Sequence, residues 1–276
     1  NDAGKAQVIV SPKYQAKVFT STADGDSGKS FGWVNYKAFS GTPDAHMNAY
    51  GGENRFWLGP EGGKFSLFFK PDSSMVFANW KTPAPFDSEP WKVVDKSGQS
   101  VTMQKNMELI NYKGTHLDIG VKRSIEILSN SEISQKIGLD LDTSVKAVGY
   151  QTDNVITNDG KTAWTEATGM PCIWMLDMFN PSPATVIVVP YKNLSGKPFD
   201  KVVTSDYFGQ IPPERLKHTD DMLFLKADGK SRGKLGVAPD FAKKVVGSYD
   251  SQHKVLTILM FDLDSSAKYL NQEWNT

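Results

Sequence analysis

The sequence predicts an all-β chain: a large two-sheet antiparallel β-sandwich with few or no helices. Three observations carry that expectation. Val and Ile total 33 against 17 Leu and aromatic residues reach 11%, a composition suited to pleated, half-buried segments. Turn dipeptides (Asp24-Gly25, Asp159-Gly160, Asp228-Gly229) recur between short apolar runs. Helical spacing is nowhere sustained over three turns, whereas two-residue alternation recurs.

In chain order, strands are expected at 14–20, 65–69, 75–78 and 101–112. Leu117, Ile119 and Val121, then Ile125 and Ile127, alternate with polar residues. Ile133, Ile137, Leu139 and Leu141 repeat the period after the turn Ser129-Asn130-Ser131, which predicts a long antiparallel hairpin with its second arm over 133–141. Further strands are expected at 185–189, 222–227 and 255–262. So many short strands with close turns predict two packed sheets, larger than an immunoglobulin-type domain. No internal repeat or low-complexity tract divides the chain, so residues 1–276 are read as one domain.

Charge and length exclude several classes. With 31 basic and 31 acidic side chains among 276 residues, no basic field announces nucleic acid. No run of 18 apolar residues supports a spanning helix. The single Cys172 forms no internal disulfide, and its apolar flanks suit a buried small hydrophobe. The chain opens on Asn1 with no apolar leader, which suggests a processed or trimmed chain. There is no Gly-x-Ser-x-Gly elbow, no phosphate loop, no dinucleotide fingerprint and no His-Glu-x-x-His motif.

Three segments break the strand rhythm, at 42–63, 82–91 and 205–216, each rich in Pro or Gly with aromatic or charged residues. The stretch 51–63 sets glycines around Glu53, Asn54, Arg55, Trp57 and Glu61. Glycine permits sharp bends and close approach to a ligand. An indole face beside charged hydrogen-bonding groups suits a sugar, whose C–H face stacks while its hydroxyls are bonded. Arg55 is the leading ligand-binding candidate, because its fork fits paired hydroxyls or a carboxylate, including that of a uronic acid. The competing reading is a strand corner in which Arg55 pairs with Glu53 or Glu61 and Trp57 fills the core.

Several stretches together resemble a family of secreted, Gram-negative bacterial proteins with a galactose-mutarotase-like supersandwich. They are Thr20-Ser21-Thr22-Ala23 with Asp26-Ser27-Gly28, Phe31-Gly32-Trp33-Val34-Asn35, the glycine-rich stretch, Trp164-Thr165-Glu166 leading to Gly169, and Asp206-Tyr207-Phe208-Gly209 with Ile211-Pro212. The likeness spans about residues 7 to 263. It implies two large sheets with a concave carbohydrate-binding face, a periplasmic or secreted location, and relatives that continue into further strands beyond this sequence. Mutarotase-like enzymes use a carboxylate base and a histidine acid. No His-Pro-Tyr-Phe motif is present here, so the enzyme assignment stays open.

The resulting expectation is a carbohydrate-binding, mutarotase-like protein, with Glu53 or Glu61 as base and His46 as acid if it acts at an anomeric centre. Arg55, Trp57, Asn54, Asp177, Asp206 and Tyr207 are the expected substrate contacts. Asp177 interrupts the apolar run 173–179 and requires a partner if buried. Trp80, Trp91 and Trp174 are further stacking candidates, while His116, His218 and His253 are assigned no role. The alternatives are a noncatalytic glycan-binding or structural cell-envelope protein and, more remotely, a glycoside hydrolase or lyase. No cofactor is expected. Calcium is the one cation considered, on the pairs Asp140/Asp142 and Asp262/Asp264, spaced to share one strand face.

Overall fold

The computed structural model describes residues 5–270, and the chain divides into two compact units that meet between Asn180 and Pro181. The first unit holds β1 (Gln7–Ser11), β2 (Lys17–Thr22), β3 (Arg55–Gly59), β4 (Lys92–Lys96), β5 (Ser100–Ile110), β6 (His116–Ile127), the helix α1 (Asn130–Ile137), β7 (Tyr150–Asn158) and β8 (Cys172–Leu176). The second holds β9 (Thr185–Pro190), β10 (Val203–Thr204), β11 (Leu216–His218), β12 (Met222–Lys226), β13 (Gly236–Val237), β14 (Val245–Asp250) and β15 (Val255–Met260). All strand pairings are antiparallel, and α1 is the one α-helix among the described residues. The all-β class expected from composition holds.

In the first unit, β4-β5-β6-β7 form a four-stranded sheet, while β1-β2 and β3-β8 are two-stranded. The β5–β6 hairpin runs from Ser100 opposite Glu126 to Ile110 opposite His116. Its turn is closed at Asn111, whose N–H donates to the Thr115 carbonyl, whose side-chain Oδ1 accepts from Thr115 N–H, and whose carbonyl accepts from Gly114 N–H. Gly114 there has φ +88°, open to glycine without penalty. Along β6, Leu117, Ile119, Val121 and Ile125 point into the core, and Arg123 stands in phase with them, fully buried. They pack with Met103 and Met107 of β5 and with Phe56 and Leu58 of β3 in one apolar cluster.

The expected second hairpin arm is instead α1. Ile133 and Ile137 are four apart, a spacing that serves a helix as well as a strand. Ser129 and Glu132 decide between the two, because they form a capping box: Ser129 accepts from Glu132 N–H and the Glu132 carboxylate accepts from Ser129 N–H. Gly138, at φ +69°, ends the helix in the left-handed region. The runs at 65–69 and 75–78 also depart from expectation. The first is irregular although Leu67, Phe68 and Phe69 are buried, and the second carries a 3-10 turn over Phe77–Asn79. Neither run alternates polar with apolar residues strictly, so nothing imposed a pleat.

The second unit is built on a five-stranded sheet in the order β11-β12-β9-β14-β15, accompanied by the short pair β10-β13. Its own core gathers Tyr191, Leu194, Val202, Val203 and Leu223.

Candidate functional site

The site is assembled where β2 crosses β3. Val18 and Asn54 exchange backbone hydrogen bonds of 3.0 and 3.1 Å. That register sets Lys17 directly opposite Arg55, and cross-strand opposites share a face. The pairing of β3 with β8 carries the same alignment on to Asp177, one residue past β8 and beside Asn54. The glycines 51 and 52 make this crossing possible. Both have positive φ (+78° and +123°), and a Cβ on Gly52 would lie 2.5 Å from Cδ of Lys17. One on Gly51 would lie 2.4 Å from the Trp33 carbonyl oxygen. The close approach these glycines allow is therefore to the protein's own lysine stem and backbone.

Six charged groups are gathered around the crossing: Lys17, Arg55 and Arg123 against Glu53, Asp87 and Asp177. All but the partly buried Asp177 are buried, and none takes part in a salt bridge among the described residues. Most are held by hydrogen bonds to neutral groups. Arg123 donates to Asn154 Oδ1 (2.7 Å), Asn54 Oδ1 (2.5 Å) and the Ala16 carbonyl (3.0 Å), and Asn54 Nδ2 donates to Asp177 Oδ1 (2.7 Å). Glu53 accepts from Ser21 N–H and the Ser21 hydroxyl, both at 2.7 Å, and from the Tyr150 hydroxyl. Asp87 accepts from the Asn48 backbone N–H and from Asn48 Nδ2 (2.6 Å).

Burial dominates the electrostatics. It pushes the Asp177 carboxyl up to about 6 against the Asn54 hydrogen bond and the Arg123 charge, and raises Glu53 and Asp87. It lowers the Arg55 and Arg123 guanidiniums to about 10. The Lys17 ammonium falls to about 7, through burial first and then repulsion from Arg55, with Asp87 pulling the other way. That ammonium lies 5.4 Å from the Phe19 ring centre and 5.3 Å from that of Tyr50. Tyr14, Phe19, Phe39 and Tyr50 pack against one another around it, with centroids 4.9 to 5.8 Å apart.

The expected residues separate into groups. Glu53, Asn54, Arg55 and Asp177 are brought together, but in a buried polar cluster, where an open basin was expected. Trp57 is a core residue with its indole edge-on to Trp174 and packed on Phe68 and Phe86. Trp80 and Trp91 are buried likewise. Arg55 does not pair with Glu53, whose oxygens Ser21 and Tyr150 occupy. His46 donates from Nδ1 to the Trp80 carbonyl (2.6 Å) and stacks on Phe77. The Glu61 carbonyl accepts from the Ser66 hydroxyl. Asp206 and Tyr207 belong to the second unit, where Tyr207 meets Phe208 edge-on and Lys234 lies over its ring.

No group of three or more His, Cys, Asp or Glu side chains is placed to hold a metal among the described residues. The Asp pairs considered for calcium lie off the strands. Asp142 caps Ser144 N–H and Asp264 caps Ser266 N–H, each at 2.8 Å. A surface hollow of about 630 Å³ runs along α1 and the following loop to Val145; it is lined by Asp140 and Asp142 of one calcium pair and by none of the expected sugar-contacting or acid–base residues.

Lys17, Asp87, Arg123 and Tyr150 were missed. Arg123 had a readable signal, a charge in phase with Leu117, Ile119, Val121 and Ile125. Lys17 had one too, being set inside Ala16-Lys17-Val18-Phe19. Asp87 had only its place in the loop 82–91.

Comparison with known proteins yields one assignment, from a family model that matches residues 1–276. The chain belongs to DUF6786, a family of unknown function. No curated protein and no solved structure matches. For this DUF6786 chain, chemistry is therefore argued from its own side chains. No helix is long and apolar enough to cross a membrane among the described residues.

Proposed function

We propose that this DUF6786 chain is a carbohydrate-binding protein of the mutarotase-like supersandwich type, periplasmic or secreted, with its ligand engaged at the β2–β3 crossing. The observation that carries the reading is the Arg55 guanidinium: buried, stacked 5.4 Å from the Trp57 ring centre, and without a hydrogen-bond partner for its Nε. A donor array of that kind inside protein is unfavourable unless an acceptor-rich ligand meets it. Sugars are rich in acceptors, and the Tyr14, Phe39 and Tyr50 rings beside Lys17 provide apolar faces for C–H groups. A glycan array tests the proposal: the wild type captures a defined set of glycans, and Arg55→Ala, checked by circular dichroism to be folded, loses them. No capture by the wild type refutes the reading.

A second reading, proton transfer at the anomeric carbon, is favoured by Asp177. A carboxyl raised to about 6 sits near the working range of a general acid or base. The expected signature is accelerated exchange between α and β sugar signals in magnetisation-transfer NMR, abolished in Asp177→Asn. Unchanged exchange across hexoses and uronates leaves binding alone.

A further inference from the structure

The Arg55–Lys17 pair differs from every other buried charge at the crossing. Glu53, Asp87, Asp177 and Arg123 are each met by hydrogen bonds from protein groups. Arg55 brings five N–H donors and Lys17 three, and among the described residues their contacts are ring faces: Trp57 for Arg55, Phe19 and Tyr50 for Lys17. The two residues are only 7% and 2% exposed. They stand opposite each other, and their like charges repel. The carboxylate acting on both is Asp87, whose oxygens already accept from Asn48.

Asp177 also acts on Arg55, so carboxylates match cations at the crossing, yet among the described residues no salt bridge joins any of them to the Arg55 fork or the Lys17 ammonium. The Arg55 Nε is sealed from solvent without a hydrogen-bond partner.

We propose that the saccharide bound here is acidic, a uronic acid whose carboxylate is received by the Arg55 guanidinium and the Lys17 ammonium. This rests on the carbohydrate reading above and names its ligand class. A carboxylate meets the geometry of the pair. Its two coplanar oxygens match the guanidinium fork, with Lys17 supplying a point charge alongside.

The test is calorimetric titration of the full chain at low salt. The probes are glucuronic acid and digalacturonic acid, their neutral twins glucose and galactobiose, and glucose 6-phosphate. The acidic sugar is expected to bind about tenfold or more tightly than its neutral twin. That preference should collapse toward one in Arg55→Gln and Lys17→Met, and survive in weakened form in Arg55→Lys. Should a variant fail to fold, the wild type still decides, because added salt should weaken the acidic ligand and leave the neutral one unchanged. Equal affinity for acidic and neutral twins overturns this inference while leaving the carbohydrate reading in place. No binding of either overturns both, and tighter binding of the sugar phosphate than of the uronate overturns the carboxylate assignment.

Discussion

Replacing Lys17 with Met tests the buried-charge account by a route independent of any ligand. Methionine keeps an unbranched stem of similar length against Gly52, Phe19 and Tyr50 and removes only the ammonium. In the folded chain the Lys17 amine loses its proton near pH 7, against an ordinary 10.5. At about 1.4 kcal/mol per tenfold, that difference amounts to roughly 5 kcal/mol as an upper figure. The sign follows from proton counts. Between pH 7 and 10.5 the unfolded chain holds the proton and the folded chain does not, so wild-type stability rises with pH across that window. Below pH 7 both states are protonated and the full penalty is present. Loss of the ring contacts returns about 1 kcal/mol to the wild type.

Lys17→Met is therefore expected to be more stable than the wild type by about 2–4 kcal/mol at pH 6, with the gap closing toward pH 10.5. Urea unfolding followed by tryptophan fluorescence is the suitable assay, since no tryptophan lies within Pro181–Asn271 and the signal reports the first unit. A variant no more stable than the wild type at pH 6, or a gap constant from pH 7 to 10, refutes the reasoning.

Three further outcomes are expected. Arg123→Ala strips hydrogen bonds from Asn54, Asn154 and the Ala16 carbonyl and should lower stability by about 3–5 kcal/mol, read in the same fluorescence assay. Gly52→Ala forces a Cβ to 2.5 Å from Cδ of Lys17 at φ +123°. It should lose about 2 kcal/mol or more in the same assay, with the loss smaller when paired with Lys17→Ala in a double-mutant cycle. Ser129→Ala removes the capping box of α1 and should cost about 1 kcal/mol of local stability, visible as faster amide exchange over 131–137 with little change at β6.

The sheet-rich architecture was legible because alternation along 117–127 and 101–110 is broken in the apolar phase only by Arg123 and Lys105, leaving each strand a mainly apolar face. The arm at 133–141 was misread because a spacing of four satisfies both periods, and the deciding signal, Ser129 followed by Glu132, is a hydrogen-bond pattern and carries no hydropathy. In the site, residues 51–63 do contain Glu53, Asn54 and Arg55 of the buried polar cluster, and Asp177 does meet a partner in Asn54. What the segment could not show is depth. A tryptophan and an arginine in a glycine-rich stretch read alike whether they line a cleft or a core, and only the strands on both sides of β3 make the difference. Lys17 and Arg123 were passed over because each sits in an otherwise ordinary strand, where its charge is informative only once the phase of its neighbours is considered.

The second unit carries a consequence for synthesis. Its central strand, β9, is the first of the five to leave the ribosome, yet its partners β12 and β14 follow only after about thirty and fifty-five further residues. During that interval the run Thr185-Val186-Ile187-Val188-Val189 has both hydrogen-bonding edges open, the condition in which nascent segments adhere to one another. Translation speed over 191–250 and early chaperone capture of β9 should therefore govern the yield of folded chain more than any property of its finished surface.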